Sequence, residues 1–458
     1  MKIKSISRRD FVKSSALATA AAIPAMSLST PKVHAGEDNT IKLAWIGCGG
    51  RGSGAVRQAI DGAKNAGLNP KLWAVSDAFK DRAFNAVQSV IDTHGEDVVD
   101  CPADRTFYDL DGYKKAIDCL GDGDVALLTT PQGFRPLHFE YVVNKKEMIN
   151  VFCEKPLGVD IPGLKRIKAA NEIAKKKGIQ VGVGLNNRHY YRTADTVKAI
   201  QDGMLGDIVT LWVYRLQGPH RLSPRENWTP LQHQLRNIFC FDWTSGGFIV
   251  DALIHNIDIC CWCKQDWPIK AIGYGGRLGD GNGEFRPDKD QLIDCGGIEY
   301  TFADGRRLML QTRTQPNCWN FFEANVQGTK GCSELGEGVG EPGIYEGYDM
   351  LTPNRKLIWK SEAEANNSYQ TEHDELFEAI RDNKPWNEIE YGVNATFTAI
   401  LGRTAMFTGQ EIFAKDVWES TKSFCPDIDN LTIDSESPCM PDANGNYWIP
   451  QPGVTKFE

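Results

Sequence analysis

Two short polar motifs in this sequence carry the residue types needed to remove a proton from a hydroxyl group. The first is Cys153-Glu154-Lys155-Pro156, whose lysine could donate to a substrate oxygen and stabilise a developing alkoxide. The second contains Asp251 and His255, which are neighbours on one face if the segment is helical. A histidine oriented by a carboxylate is a common base for such chemistry. The two motifs predict Lys155, His255 and Asp251 as candidate catalytic residues.

Each motif also has an ordinary structural interpretation. Glu154-Lys155 could be a surface ion pair, and the D-x-x-x-H pattern could be a structural hydrogen bond or half of a metal site. A third candidate, Arg188, follows two asparagines at a predicted strand end and could line the same cleft as a substrate ligand. Trp243 precedes the histidine motif and could shape a sugar site, or belong to an ordinary loop. Four further residues share both interpretations: Arg215, His220, Arg221 and Trp228.

A glycine-rich loop indicates which cofactor would bind beside these residues. The apolar segment 41–46 runs into the G-x-G-x-x-G stretch 47–52, and a helix-compatible segment follows. This order is typical of a dinucleotide-binding unit, in which the loop and the helix start hold a pyrophosphate. Asp77 closes the next apolar strand 25 residues after the last glycine, where a carboxylate would bind a ribose 2′-hydroxyl and repel a 2′-phosphate. The pattern predicts NAD rather than NADP, with these cofactor-binding loop residues: Gly47, Gly49, Gly50, Arg51 and Gly52.

The elements that must position these residues fall into two patterns. Up to residue 156, apolar strands alternate with helical segments, which predicts a doubly wound parallel sheet. The predicted strands are 41–46, 71–76, 124–130 and 148–153, and the helices are 52–66, 80–94, 111–120 and 135–146. Beyond an amphipathic helix at 159–178, successive strands with turn signals predict a mostly antiparallel sheet in an α+β domain, closed by two helices. Those strands are 207–218, 270–277, 296–314 and 320–331, and the helices are 373–383 and 392–410.

We therefore predict an α/β Rossmann domain at 40–158 and an α+β domain with a large, mostly antiparallel open sheet at 159–424. Residues 425–458 are rich in Pro, Asp, Asn and Ser and are predicted to form an extended tail. Residues 1–35 resemble a twin-arginine signal peptide: Ser7-Arg8-Arg9 is followed by an apolar run and an A-x-A-like cleavage site. This segment predicts export to the periplasm or outside the cell, and no other stretch predicts a membrane span.

The charge balance and the cysteine positions limit the classes of partner and of metal site that the sequence supports. The chain has 51 basic and 60 acidic residues, and without residues 1–35 it has 45 and 59, a net charge of about −14. That balance argues against nucleic acid or anionic membranes as partners and, in the absence of a local basic cluster, favours an uncharged or weakly charged saccharide or cyclitol. The 13 cysteines lack metal-ligand spacing, and the apolar run around Cys260, Cys261 and Cys263 predicts buried thiols on a core helix. We predict no metal site.

Taken together, the motifs resemble the glucose–fructose oxidoreductase and inositol dehydrogenase (Gfo/Idh/MocA) family. The resemblance covers the chain after the signal peptide and runs through seven segments. They are IGCGGRG, Thr129-Thr130-Pro131, Glu154-Lys155-Pro156, GLNNRHYYRTADTVKAIQDGMLGDIV, SGGFIVDALIHNIDI, Gly328-Thr329-Lys330-Gly331 and LGRTAMFTGQEI.

The resemblance implies roles for several residues. It makes Lys155 the catalytic lysine, His255 the acid/base and Asp251 the partner of His255 or a substrate ligand. Thr130, Pro131 and Glu154 join Lys155 as cofactor-binding residues, and the Lys155–Pro156 bond is commonly cis in the family. Family members commonly have a second sheet face that packs against a partner subunit, which implies a homo-oligomer, a dimer or a tetramer.

One position departs from the family pattern. Members often read T-P-D-x-x-H after the fourth Rossmann strand, whereas here Arg135 occupies the histidine position and His138 follows three residues later.

The resemblance implies an NAD-dependent oxidoreductase that oxidises a hydroxyl of a sugar, glycoside or cyclitol. Export imposes a further condition, since a compartment without free NAD requires a tightly held cofactor that is regenerated in place. Two alternatives remain open. One is an NAD-dependent, redox-neutral glycosidase resembling α-N-acetylgalactosaminidases, and the other is a non-catalytic sugar-binding homologue that keeps NAD as a structural element.

Overall fold

The computed structural model describes residues 39–220, 222–223, 227–277, 288–336, 339, 341–347 and 356–457. The predicted signal peptide and the candidate sugar-site residue Arg221 lie outside the described residues. Within those ranges, no single helix has the length and apolar character needed to cross a bilayer. One bent pair of helices, Asp242–Ala252 and Ile254–Lys264, meets those criteria only when both are taken together.

Alternating strands and helices build a parallel sheet from the first part of the described chain. Its strands are β1 (Thr40–Ile46), β2 (Asn69–Asp77), β3 (Thr106–Tyr108), β4 (Val125–Leu128), β5 (Asn150–Cys153) and β6 (Val181–Val183). The helices are α1 (Gly50–Asn65), α2 (Lys80–His94), α3 (Gly112–Asp118), α4 (Arg135–Asn144) and α5 (Ile161–Lys177). The strand order is β3-β2-β1-β4-β5-β6, with every pair parallel. The change of direction between β1 and β4 creates the crevice in which such sheets bind ligands.

The central strands of this sheet are apolar because both of their faces are covered. Every residue of β4 and β5 is buried, as are the last four of β1. Helix α5 begins at an Asp160 cap and ends at Gly178 in the left-handed conformation, and both are ordinary helix signals.

A second, larger sheet follows. Its strands are β7 (Ile208–Gln217), β8 (Lys270–Gly276), β9 (Cys295–Thr301), β10 (Arg307–Thr314), β11 (Phe321–Gly328), β12 (Gly331–Leu335), β13 (Gly343–Tyr345), β14 (Leu357–Lys360) and β15 (Ile412–Phe413). The order is β14-β13-β12-β11-β7-β10-β9-β8-β15, and only β7 and β10 pair in parallel. The predicted 296–314 segment is the β9–β10 hairpin, which turns at Gly305.

Two helices, Ile254–Lys264 and Ile389–Thr408, pack against one face of the second sheet. The helices of this part of the chain are α6 (Tyr191–Gln201), α7 (Pro230–Arg236), α8 (Asp242–Ser245), α9 (Gly247–Ala252), α10 (Ile254–Lys264), α11 (Ser368–Arg381), α12 (Ile389–Thr408) and α13 (Ala414–Glu419). Gly273 and Gly296 lie so close to Met406 of α12 that a Cβ at either position would come within about 3 Å of it. The covered face holds buried apolar residues: Ile298, Tyr300, Phe302, Leu308 and Leu310.

The segment around the D-x-x-x-H pattern is helical but interrupted. The segment Asp242–Ala252, which contains α8 and α9, meets α10 at Leu253 with a bend of 49°. Asp251 therefore ends one helix while His255 begins the next, so the i, i+4 geometry of a continuous helix does not apply to them. Cys260, Cys261 and Cys263 are buried on α10 with free thiols, as predicted.

The predicted fold class is confirmed. A parallel Rossmann-like sheet is joined to a mostly antiparallel sheet, and the last 38 described residues contain no helix or strand. The domain boundaries stay predictions, although β6 extends the parallel sheet beyond the predicted boundary at residue 158. All described residues fall within one compact unit.

Candidate active site

Two connected cavities lie at the carboxyl ends of the parallel strands. The larger has a volume of about 1620 Å³ and the smaller about 630 Å³. Loops that follow β1, β4 and β5 line the larger one, together with side chains from β7, α7 and the α9–α10 bend. Six residues line both cavities: Gly49, Arg82, Thr129, Thr130, Leu235 and Ile238.

The glycine-rich loop is shaped to admit a phosphate group. Gly47 has φ +96°, and a Cβ there would lie 2.6–2.8 Å from the backbone of Thr129 and Thr130. A Cβ at Gly52 would lie 2.2 Å from the carbonyl oxygen of Gly47. By contrast, a Cβ at Gly49 or Gly50 would meet nothing within 4 Å, because both face the larger cavity. Space for an anion therefore opens at the start of α1, where backbone N–H groups point outward.

The smaller cavity suits the adenosine half of a dinucleotide. Apolar side chains such as Phe79, Leu110 and Phe134 line it, with Asp77 beside them. Asp77 Oδ2 accepts from the Cys48 N–H at 2.8 Å and Oδ1 accepts from the Phe79 N–H at 2.9 Å, which fixes the carboxylate. Burial raises the pKa of Asp77 above its usual value, and these backbone N–H groups oppose the shift. The donor set and the shape of both cavities fit a nicotinamide dinucleotide.

Lys155 stands where β5 opens into the larger cavity. Its Nζ donates to the Asp251 carbonyl oxygen at 2.9 Å and lies 3.7 Å from Asp251 Oδ1. Gln132 Nε2 also donates to that carboxylate. The Lys155–Pro156 bond is cis, as the resemblance implied. Lys155 and Asp251 thus form a pair across the cavity, fixed by an amide that the sequence analysis did not single out.

His255 carries a buried imidazole with a lowered pKa. Its side chain lines the larger cavity, yet the residue is only 6% exposed. Burial lowers the pKa of His255 well below its usual value, and the cations of Lys155, Arg215 and Arg51 lower it further. Among the described residues, no hydrogen bond joins Asp251 to His255. The structure therefore places Asp251 with Lys155 rather than as the orienting partner of the histidine.

A charge network joins the partly exposed Arg51 to two buried carboxylates. Arg51 Nε donates to Glu154 Oε1 at 2.6 Å, and its guanidinium lies 4.7 Å from the ring of Tyr369. Arg51 Nη2 is 3.9 Å from Glu372 Oε1. Burial and then the nearby Glu154 raise the pKa of Glu372 well above its usual value. No local sequence signal pointed to Glu372 or Tyr369, because α11 reaches this site only through the tertiary fold.

Two predicted substrate ligands have other partners. Arg188 donates to both oxygens of Asp258, at 2.7 and 2.8 Å, and stacks 4.0 Å from the ring of Tyr391. Trp243 is buried against Phe134, and its Nε1 donates to Gln234 at 2.6 Å. Neither side chain is among the described residues that line the larger cavity. Both contribute to the structure around the site rather than to the cavity surface.

Arg135 and His138 occupy positions close to both cavities. Arg135 is buried, lines the larger cavity and donates from Nη1 to the Pro156 carbonyl oxygen. His138 lines the smaller cavity 3.0 Å from Thr130 Oγ1, and burial lowers its pKa to about 3. The arginine that departs from the family pattern thus supports the backbone next to Lys155.

Comparisons with known proteins agree with this architecture. Residues 197–412 match the model of the oxidoreductase family C-terminal alpha/beta domain. Inositol 2-dehydrogenase of Rhizobium meliloti is 23% identical over 280 residues, which cover 61% of this chain and 72% of the relative.

Two solved structures share the fold. Scyllo-inositol dehydrogenase from Lactobacillus casei, with bound NAD(H) and scyllo-inositol, has a TM-score of 0.56 and 19% identity. A levoglucosan dehydrogenase in complex with NADH and levoglucosan has a TM-score of 0.60 and 16% identity. Each alignment covers 82% of this chain and 99% of the other. Together these similarities support the Gfo/Idh/MocA oxidoreductase family.

Proposed function

We propose that this protein is an exported, NAD-dependent oxidoreductase that oxidises a hydroxyl of a sugar, glycoside or cyclitol while holding its cofactor tightly. The observation that carries the proposal is the cavity in which Lys155, Asp251 and neutral His255 meet at the carboxyl end of β5, next to an open glycine loop. The related proteins act on inositols or levoglucosan, which supports a polyhydroxylated ring as substrate.

The chain's own groups account for the proton chemistry. His255 takes the proton of the substrate hydroxyl, since its pKa is held well below its usual value and the imidazole is neutral at pH 7. Lys155 donates to the oxygen that becomes the alkoxide, and Asp251 holds the lysine in place. A bound nicotinamide supplies the hydride acceptor. The products are a carbonyl compound, the reduced cofactor and a proton on His255.

Residues of both cavities would hold the cofactor. The backbone at Gly49 and Gly50 would hold the pyrophosphate, and Asp77 would bind the adenosine ribose. Export rests on the Ser7-Arg8-Arg9 signal and on the cleavage site before residue 36. A retained cofactor would then be regenerated by a second carbonyl substrate or by reversal on the same molecule.

The proposal of a tightly held cofactor is tested by measuring how much NAD(H) is bound to protein purified without added nucleotide. After denaturation, the supernatant is assayed for NAD(H) and NADP(H), and we expect roughly stoichiometric NAD(H). Gly49→Asp should abolish that content, because its Cβ enters open space and its carboxylate would repel a pyrophosphate. Gly276→Asp adds the same charge at another open position outside the cavity and should keep its NAD(H). Nucleotide-free wild-type protein that binds NAD weakly would contradict tight retention.

A glycosidase of the redox-neutral type uses the same cavity and needs a separate test. A panel of chromogenic glycosides is presented to the NAD-loaded protein without a carbonyl acceptor. Release of the aglycone over many turnovers would favour the glycosidase. Reduction of the nicotinamide by a free sugar, reversed by a keto-sugar, would favour the oxidoreductase.

A further inference from the structure

An exposed aromatic ring forms part of the wall of the larger cavity. Phe239 is 42% exposed, which makes it the most exposed large apolar side chain among the described residues that line this cavity. It does not line the smaller cavity, where the adenosine half of a dinucleotide fits. Covering an apolar ring releases the water in contact with it, so an exposed apolar group in a cavity favours the binding of a ligand there.

The backbone holds Phe239 in this exposed position. The residue lies in a short turn between α7 and α8. The carbonyl oxygen of the preceding residue, Ile238, accepts from Thr244 Oγ1 at 2.6 Å. That of the following residue, Cys240, accepts from the Gln291 N–H at 2.9 Å. Turning the ring into the core would break these contacts, so the exposure of Phe239 is a fixed feature of the cavity.

Polar side chains border the ring of Phe239. The ring of His220 stacks on it with 5.2 Å between the centroids, and His220 lines the same cavity. Ser223 and Asn237 also line the cavity, and the Ser223 N–H donates to Asn237 Oδ1 at 2.7 Å. A flat aromatic face with polar groups at its edge suits a pyranose ring, which has an apolar face of C–H groups and hydroxyls around its rim.

This aromatic surface is separate from the catalytic end of the cavity but adjoins it. The ring of His220 lies 5.5 Å from that of Phe248 on α9, and Asp251 follows one turn later on the same helix. Among the described residues, no ring contact joins Phe239 to Phe248, so His220 lies between them. Because Asp251 accepts from Lys155, a sugar ring that reacts at the lysine would have Phe239 beyond it. A second ring joined to the first would cover Phe239.

We propose that the substrate is a glycoside with at least two sugar rings, and that Phe239 and His220 form a subsite for the ring that does not react. This inference rests on the proposed oxidoreductase function for the identity of the reacting end, and it specifies the substrate class. One ring presents a hydroxyl to Lys155 and His255, and the glycosidic bond places the other ring over Phe239. Phe239 is thereby a specificity-determining residue, which a free cyclitol with its single ring would leave uncovered.

The test compares ligands that have one ring with ligands that have two. The one-ring ligands are D-glucose, D-galactose, their methyl glycosides and myo-inositol; the two-ring ligands are trehalose, maltose, cellobiose and lactose. Calorimetry measures binding to the full-length protein with and without NADH, and absorbance follows nicotinamide reduction by the NAD-loaded protein. We expect at least one disaccharide to bind about 10-fold tighter than every one-ring ligand, since its second ring adds an aromatic contact.

Substitutions of Phe239 test the subsite directly. Phe239→Leu keeps an apolar side chain but removes the flat ring, so it should lower the affinity for that disaccharide about 3–10-fold and the affinity for methyl glycosides by less. Phe239→Tyr keeps the ring and should retain the preference for two rings. Phe84→Leu is the matched control, because Phe84 on α2 is 39% exposed and lines neither cavity. Thermal unfolding of each variant checks that the fold is intact.

The outcomes separate this inference from the proposed function. If no disaccharide binds more tightly than the one-ring ligands, or if Phe239→Leu keeps the full preference, the two-ring inference is wrong. Tighter binding of phenyl glucoside than of every disaccharide would also overturn it, because Phe239 would then bind an apolar group rather than a sugar. Disaccharide binding that depends on Phe239 but gives no nicotinamide reduction would contradict the oxidoreductase and leave the subsite standing.

Discussion

At the scale of single residues, the proposed reaction needs a base and a cation, which we assign to His255 and Lys155. His255 is buried and neutral, whereas Lys155 is fixed by two contacts to Asp251. We predict that His255→Asn and Lys155→Met each lower turnover roughly 10²–10⁴-fold, the range for lost proton transfer or lost oxyanion stabilisation. NAD(H) content should stay near normal in the His255 variant, as measured after denaturation. His94→Asn, at the end of α2, serves as the control histidine; full activity in either site variant would contradict the assignment.

The low pKa of His255 predicts an unusual pH profile. A base acts when deprotonated, so activity is retained above its pKa and lost as pH falls through it. Because burial, Lys155, Arg215 and Arg51 hold the pKa of His255 well below its usual value, kcat/KM should remain level as pH falls through about 6.5. Lys155→Met removes one of these cations, so the acid limb of its residual activity should move to higher pH. The same limb in both proteins would show that His255 is not the titrating base.

Substitutions of Asp77 test whether this residue sets the preference for NAD over NADP. Its carboxylate is fixed by two backbone N–H groups at the edge of the smaller cavity. Asp77→Ala should weaken NAD binding about 10-fold and reduce the preference over NADP, since a charged acceptor for the ribose is lost. Asp77→Asn keeps the shape and removes the charge, which separates repulsion of a 2′-phosphate from placement of the loop. Calorimetry with both nucleotides measures the ratio, and an unchanged preference would mean that another residue distinguishes them.

Single residues were predicted from the sequence unevenly. The location of Lys155 and His255 at the larger cavity could be predicted because each lies in a short motif that fixes its place on an element. Arg188 and Trp243 were assigned to the substrate, but Asp258 and Gln234 hold them. Sequence spacing places a residue at a strand end or in a loop, but it does not reveal which buried partner will compete for it. Arg215, one of the candidates before the D-x-x-x-H pattern, lines the larger cavity and lies 3.6 Å from the ring of Phe322, a neighbour on another strand that sequence spacing does not reveal.

At the scale of elements, the alternating strands and helices before residue 156 were predicted closely because the pattern repeats and is continuous. Six short strands were missed: β3, β6, β12, β13, β14 and β15. Each has two to five residues, too few to show a period. The break at Leu253 was also missed, since the residues on both sides of it are apolar and helix-compatible. That break matters for the site, because it separates Asp251 from His255 and lets each reach a different part of the cavity.

The contact of the segment after β6 with the region of α11 and α12 depends on a buried histidine. His189 follows β6, and its Nδ1 lies 2.7 Å from Glu375 on α11 while its Nε2 lies 3.3 Å from Glu388, just before α12. Burial acts to lower the pKa of His189, but these two carboxylates outweigh it and raise the pKa to about 10. The charged histidine therefore stabilises the fold fully below the unfolded pKa of about 6.5, and this contribution is lost as pH rises towards 10.

We predict that His189→Gln lowers the free energy of unfolding by roughly 3–5 kcal/mol at pH 6, the usual effect of breaking a buried ion pair. The difference from wild type should shrink as pH approaches 10, where His189 loses its proton in the wild type as well. Denaturant unfolding at several pH values measures this. His94→Gln, which removes a partly exposed pair with Asp61, should cost about 0–1 kcal/mol. If the loss of unfolding free energy in His189→Gln does not depend on pH, packing rather than charge stabilises the contact between His189 and the two carboxylates.

At the scale of the whole molecule, the charges that line the larger cavity are opposite in sign to the net charge of the chain. An acidic protein carries a basic cavity, and such a contrast concentrates anions at the cavity mouth and guides them inward. The pyrophosphate of a bound dinucleotide would benefit. Composition alone predicted an uncharged or weakly charged saccharide, which stays a prediction. Net charge averages over surfaces that a ligand never meets, so it does not show this contrast. The arrangement of the cations became visible only once β5, β7 and α7 were brought together.

The second sheet presents one face that no described helix covers. Trp212 and Tyr214 of β7 stack at 5.8 Å on this face, and Trp319 stacks on Phe321 at 4.8 Å. Tyr274 of β8 is 69% exposed. These rings lie opposite the face that packs on α12, and an exposed aromatic surface of this kind usually marks an interface. We therefore expect the homo-oligomer to assemble through this face of the sheet.

Introducing charge on this face tests that expectation. The double variant Tyr274→Glu and Trp319→Glu should convert the oligomer to monomers, because two carboxylates would have to be buried unpaired at the interface. Light scattering coupled to size-exclusion chromatography measures the mass. Tyr191→Glu, on α6 and 46% exposed, adds charge elsewhere and should leave the mass unchanged. Since both charged positions lie on the face opposite the cavity, the monomer should still carry NAD(H), so loss of mass without loss of cofactor would separate assembly from catalysis. A monomeric wild type, or an oligomer that both variants preserve, would contradict the assignment of this face.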